Sequence, residues 1–122
     1  MGQIIADTNI CIYVLKNDIH LGKLLDKKII YISYITELEL LSFPKISINE
    51  IGLIKEFINN CNIINYSEDL KDDIIFFRRK YNLSIADAII AATSFSYFIP
   101  LITADKRFSR IEEIETSIYT IN

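Results

Sequence analysis

Four acidic residues stand where an apolar run gives way to a helical pattern, or where a helix begins: Asp7, Glu39, Asp87 and Asp105. Asp7 ends the run Ile4-Ile5-Ala6, Glu39 lies just past Ile29–Ser33, and Asp105 follows Ile99–Thr103. Asp87 comes three residues after Ser84, at the head of the apolar segment Ala88–Ala92. In a parallel sheet the strand C-termini share one edge, where ligands bind. Asp7, Glu39 and Asp105 therefore project toward that edge, and Asp87 joins them if its helix starts there. Carboxylates gathered in one cleft repel and raise one another's pKa unless cations neutralise them. Oxygen ligands without His or Cys select hard ions, Mg²⁺ or Mn²⁺. One or two such ions beside several carboxylates suit attack of an activated water on a phosphodiester.

Each acid also has a purely structural reading. Glu39, three residues after Thr36, and Asp87, three after Ser84, hold capping-box positions where an acid serves helix stability alone. Asp105 can cap the turn Lys106-Arg107-Phe108. Asp7 is hardest to explain this way, because an acid at the end of a buried strand needs a partner. Glu37, Glu68, Asp69, Asp72, Asp73, Glu112 and Glu113 read as solvated faces and helix starts.

The elements that must position these acids follow from hydrophobic periodicity and punctuation. Helical patterns run over 8–16 and 20–27, followed by a β-branched strand over 29–33. A helix over 34–41, with Thr36 as its expected N-cap, is stopped by Pro44. Ser47-x-x-Glu50 opens another helix carrying Ile51, Ile54, Phe57 and Ile58, and residues 62–66 read as a strand. Ser67-Glu68-Asp69 opens a helix reaching Tyr81-Asn82, and Ser84 opens one that is apolar nearly all round and so expected to be buried. A strand over 99–103 has Pro100 near its start, where a missing N–H is tolerated. A helical turn to Arg110 and a short strand over 116–121 complete the chain. Strands alternate with helices without a break in composition, which predicts one domain over residues 1–122, a three-layer α/β fold with a mainly parallel sheet.

Composition sets bounds on function. With 51% hydrophobic residues the chain is globular, not disordered. Its net charge of −3 argues against indiscriminate coating of nucleic acid, but not against binding through a metal cluster and a local basic patch. Cys11 and Cys61 read as free buried thiols, and His20 alone cannot complete a zinc site with them. No signal pattern is visible and no run approaches a membrane span, so a cytoplasmic location is expected.

Ile4-Ile5-Ala6-Asp7-Thr8-Asn9, Ile35-Thr36-x-x-Glu39-Leu40, Ser84-Ile85-Ala86-Asp87-Ala88-x-Ile90-Ala91-Ala92 and Leu101-Ile102-Thr103-Ala104-Asp105-x-x-Phe108 together resemble the signature segments of PIN domains. Within that superfamily the chain is most similar to VapC-type toxins of toxin–antitoxin modules, over nearly its whole length. The resemblance implies a Mg²⁺- or Mn²⁺-dependent ribonuclease whose acidic quartet is Asp7, Glu39, Asp87 and Asp105. It also implies the sheet order 3-2-1-4-5, a homodimer, and neutralisation by a co-encoded antitoxin. Asp7 and Asp105 would ligate the ion, with Glu39 and Asp87 ligating directly or through water. Thr8, Asn9 and Thr103 would hold the carboxylates by hydrogen bonds, although Thr8 and Asn9 also suit simple helix initiation. Lys106, Arg107 and Arg110 would hold RNA phosphates, or form a solvated basic turn. Arg78-Arg79-Lys80 reads as a basic helix C-terminus favoured by the dipole. Ser42 stands where many relatives have Gly. Glu37 adds a second acid beside Glu39, and points about 200° away around the helix.

Two other classes compete. An aspartyl phosphatase wants a second acid two residues after the first, where Asn9 stands. A phospho-receiver wants a phospho-acceptor after the third strand, where Tyr66-Ser67 stands. A PIN-like fold kept as a silent binding or scaffold module is the non-catalytic alternative. Phe43, Ile46, Ile48, Phe57, Tyr97 and Phe98 are expected to leave some apolar surface for a dimer mate or an antitoxin helix.

Overall fold

The computed structural model describes residues 2–121. Five strands form one sheet in the order β3-β2-β1-β4-β5, with every neighbouring pair parallel. The elements are β1 (Gly2–Ala6), α1 (Thr8–Leu15), α2 (Ile19–Leu25), β2 (Lys28–Ser33), α3 (Tyr34–Leu41), α4 (Ile48–Asn59), β3 (Asn62–Ile64), α5 (Glu68–Tyr81), α6 (Ile85–Tyr97), β4 (Leu101–Thr103), a 3₁₀ turn (Lys106–Arg110) and β5 (Thr116–Ile118). The expected fold class and strand order are both found.

The strand order explains the layers. The chain moves outward from β1 through β2 to β3, then jumps back across the sheet to β4. Right-handed crossovers running in opposite directions put their helices on opposite faces. The period of two along each strand feeds both faces. Ile4 and Ala6 join a core with residues of α1, α2, α3 and α4, while Ile5 joins one with residues of α5 and α6. β4 does the same with Ile102 and Leu101. Helix α6 is buried continuously from Ala88 to Ser94, as its apolar composition requires.

Three strands are shorter than their periodicity suggests, because pairing ends before the apolar pattern does. β3 stops at Ile64, β4 begins only after Pro100, and β5 stops at Ile118. A second correction concerns α3. Its N-cap is Ser33, whose hydroxyl accepts from the Ile35 N–H, so the helix starts directly out of β2. Thr36 is thus a fully buried interior residue and forms no capping box with Glu39. The box at Ser47 and Glu50 is present in both directions, at 3.1 Å each.

Cys11 and Cys61 are free thiols, and burial pushes the Cys61 thiol up to about 11. Among the described residues no helix is long and apolar enough to cross a membrane. Of the aromatic and branched residues expected to leave apolar surface, Phe43, Ile48, Tyr97 and Phe98 are exposed. Ile46 and Phe57 instead pack against the core.

Phe98 closes α6 in the left-handed region at φ 55°, with 89% of its surface exposed. That conformation strains a residue bearing a Cβ and suits Gly. Phe98→Gly sacrifices little burial, so it should raise unfolding stability by about 1 kcal/mol. Urea denaturation of the two proteins measures this; a loss of stability would show that the ring packs in solution.

Candidate functional site

Asp7 is placed by pairing, then held by caps. Ala6 aligns with Ile102 across β1 and β4, and the Asp7 N–H donates to the Ile102 carbonyl at 3.3 Å. One residue further along, Thr103 on β4 donates its hydroxyl to Asp7 Oδ2. Asp7 Oδ1 accepts the Ile10 N–H at 3.0 Å, making Asp7 the N-cap of α1. The capping reading holds for this residue, which also lines the cleft described below. Only 6% of it is exposed. Burial raises the Asp7 pKa; the bonds from Thr103 and Ile10 oppose that rise, and the nearby charges of Asp87 and Asp105 add to it.

The other three acids arrive on separate elements. Glu39, on α3, accepts through Oε1 from the Thr8 hydroxyl, which also lies 3.4 Å from the hydroxyl of buried Thr36. Asp87 occupies the first turn of α6, where its N–H is capped by Ser84 at 3.1 Å. Its carboxylate makes no reciprocal cap bond and is left to the cleft. Asp105 follows β4 and caps the 3₁₀ turn through the Arg107 N–H, while its own N–H donates to Thr103 Oγ1 at 3.0 Å. Thr103 thus ties Asp7 to Asp105 through one hydroxyl.

All four acids line a single cleft of about 370 Å³, together with Thr8, Asn9, Ser42, Phe43, Ala86, Ile90 and Phe108. Glu37 is not on its wall. The glutamate turned inward is Glu39, but Thr8 holds it there instead of a Thr36 cap. Thr36, three residues before Glu39, shares its helix face, but that spacing alone reads equally well as a cap. Phe43, expected only as apolar surface, also lines this cleft; it follows the end of α3, just before the turn at Pro44 and Lys45. Phe43 also belongs to a second, mainly apolar cavity of about 350 Å³ formed with Ile12, Leu15, Pro44, Ile46, Leu53 and Ile54, whose wall also carries Lys16, Lys45 and Glu50.

The basic residues after Asp105 behave differently from one another. Arg107 forks onto Asp105, with Nη2 at 2.7 Å from Oδ2, and reaches Asp87 Oδ2 at 3.6 Å. The Arg107 hydrogen bonds hold the Asp105 carboxyl below the usual carboxylate range. Arg110 donates to the Tyr81 carbonyl at 2.6 Å, tying the turn to the end of α5. Lys106 is exposed and makes no ion pair among the described residues.

An all-oxygen donor set fits a hard divalent cation. The clustered negative charge, already drawing a guanidinium between Asp105 and Asp87, fits a cation as well. Among the described residues no three His, Cys, Asp or Glu side chains stand ready to hold one ion; Asp105 and Asp87 share Arg107 instead. The residues that would hold the ion are Asp7, Asp105, Asp87 and Glu39.

The raised pKa of Asp7 has a stability consequence with a definite sign. A carboxyl whose folded pKa exceeds its unfolded value stabilises fully below the unfolded pKa, and that contribution is lost as pH rises through the folded pKa. Asp18, Glu50 and Glu113 shift downward and act in the opposite sense. The difference between wild type and Asp7→Asn isolates the Asp7 contribution. In metal-free protein the variant should gain stability on the wild type as pH rises from the ordinary carboxylate range to neutrality. Melting curves of both proteins at a series of pH values test this, since Asn keeps the cap. A constant difference across that range would remove the shift.

A family model for the PIN domain matches residues 4–114. Among solved structures, the Rickettsia felis VapBC2 complex bound to promoter DNA aligns at TM-score 0.87 and 21% identity, covering 97% of this chain and 99% of that one. A toxin–antitoxin complex from Klebsiella pneumoniae aligns at TM-score 0.82 and 28% identity, covering 97% and 99%. DNA-bound VapBC from Salmonella typhimurium aligns at 0.83 and 23%, covering 97% and 98%. Among curated proteins no sequence matches significantly. With the family model spanning β1 to the segment before β5, and the sheet order found as well, the chain belongs to the PIN domain family.

Proposed function

We propose that this PIN domain is a VapC-type toxin, a Mg²⁺- or Mn²⁺-dependent endoribonuclease that acts in the cytoplasm and is neutralised by a cognate antitoxin. The observation that carries the proposal is the convergence of Asp7, Glu39, Asp87 and Asp105, from four different elements, on one cleft. The alignment with a toxin–antitoxin complex at 28% identity supports it.

A divalent cation, when bound there, neutralises the clustered charge and activates water for attack on a phosphodiester. The chain's own residues prepare the place. Thr103 and the Ile10 N–H orient Asp7. Thr8 occupies one oxygen of Glu39 and leaves the other to the cleft. Asp87 presents its carboxylate from a capped helix start, with Arg107 3.6 Å from its Oδ2. Lys106 is the basic residue best placed to meet an RNA phosphate, being exposed one position after Asp105. The apolar cavity that shares Phe43 with the acidic cleft suits an antitoxin helix, by its lining and its position.

Asp7→Asn keeps shape and packing but removes one charge from the site, so RNA cleavage should fall by orders of magnitude. Thr8→Val, which removes the hydroxyl that holds Glu39, should cost about 10–100-fold in activity or metal affinity. Both are read by RNA cleavage with Mg²⁺ or Mn²⁺ against wild type; an Asp7→Asn protein as fast as wild type at limiting metal would sink the mechanism.

The proposed homodimer would cover apolar surface such as Phe76, Tyr97 and Phe98. Sedimentation over a wide concentration range should show a reversible dimer. A species that stays monomeric throughout removes self-association.

A further inference from the structure

Among the described residues, the contacts of Arg107 account for every hydrogen bond that the Asp105 carboxylate accepts. Oδ1 accepts from the Arg107 N–H at 2.9 Å and from Nε at 3.0 Å; Oδ2 accepts from Nε at 3.1 Å and from Nη2 at 2.7 Å. The same Nη2 stands 3.6 Å from Asp87 Oδ2. One guanidinium therefore lies between two of the four carboxylates. The Arg107 side chain is 71% exposed, against 25% and 26% for those of Asp105 and Asp87. The arm can swing into water while the two acids cannot. An ion pair so exposed is held weakly, and a divalent charge competes for it favourably.

We propose that Arg107 is the resident counter-cation of this cleft. It stabilises the metal-free arrangement by shielding Asp105 from Asp87, and it must withdraw before a divalent ion can take both carboxylates. The inference rests on the reading of the cleft as a metal site. Loading is then an exchange of one cation for another, and Arg107 sets the metal concentration at which the exchange occurs. The direction is opposite to that of a supporting residue. Removal of a group that positions Asp105 would weaken metal binding, whereas removal of a competitor strengthens it.

The test is Mn²⁺ binding to the purified protein without RNA, by calorimetric titration or from the free-Mn²⁺ spin-resonance signal. Wild type, Arg107→Gln, Arg107→Lys and Asp7→Asn are compared. Arg107→Gln should bind Mn²⁺ severalfold more tightly than wild type. Arg107→Lys, which keeps the charge but not the fork, should fall between them. Asp7→Asn should bind more weakly than all three. Unchanged or weaker binding in Arg107→Gln, with Asp7→Asn still impaired, overturns the counter-cation while leaving the metal site standing. Absence of Mn²⁺ binding by both wild type and Arg107→Gln overturns the metal site and the exchange together. The exposed position of Arg107 keeps the fold out of the comparison, and equal melting temperatures of the metal-free Arg107 variants and wild type to within a few degrees confirm it.

Discussion

The pairing of Ala6 with Ile102 is the constraint on which the rest of the site depends. β1 and β4 are far apart in the chain and adjacent in the sheet only because the connection after β3 returns across the whole of it. Once those two residues align, the next position on each strand meets its counterpart, and the Thr103 hydroxyl falls on the Asp7 carboxylate. A slip of one residue would turn every side chain of β4 to the other face. Leu101 and Ile102, committed to different cores, make that slip costly. Hydrophobic packing on both faces of the sheet thus sets the position of a polar pair at its edge.

The charges at that edge work against folding. Asp7 is buried, and the carboxylates of Asp87 and Asp105 add to the difficulty of ionising it. The protein answers with short local supports: Thr103 and the α1 N-terminus at Asp7, Thr8 at Glu39, and the Arg107 fork at Asp105. None of these reduces the total negative charge except Arg107. The cleft is in this sense strained electrostatically instead of conformationally, as its backbone is ordinary: no residue with positive φ among those described lines it.

Much of this was legible in the residue order. Ser47 and Glu50 define a helix start by themselves, because both partners of a capping box lie within one turn. The same spacing at Thr36 and Glu39 misled, because Ser33 lay three residues earlier at the strand end and took the capping role first. A local signal of that kind cannot reveal that Thr36 is needed inside, beside a threonine from another helix. The acids could be named from their junctions, since the edge of a parallel sheet is common to all its strands. What Arg107 does could not, because the choice between a phosphate ligand and a carboxylate partner depends on how the 3₁₀ turn folds back over Asp105. The strand lengths were overestimated for a related reason, as apolar residues continue past the last paired position at Ile64 and Ile118.

Phe43 is a wall common to two unlike chambers, one acidic and one apolar. The ring they share is 41% exposed. A substitution there, Phe43→Ala for example, would reshape both walls at once.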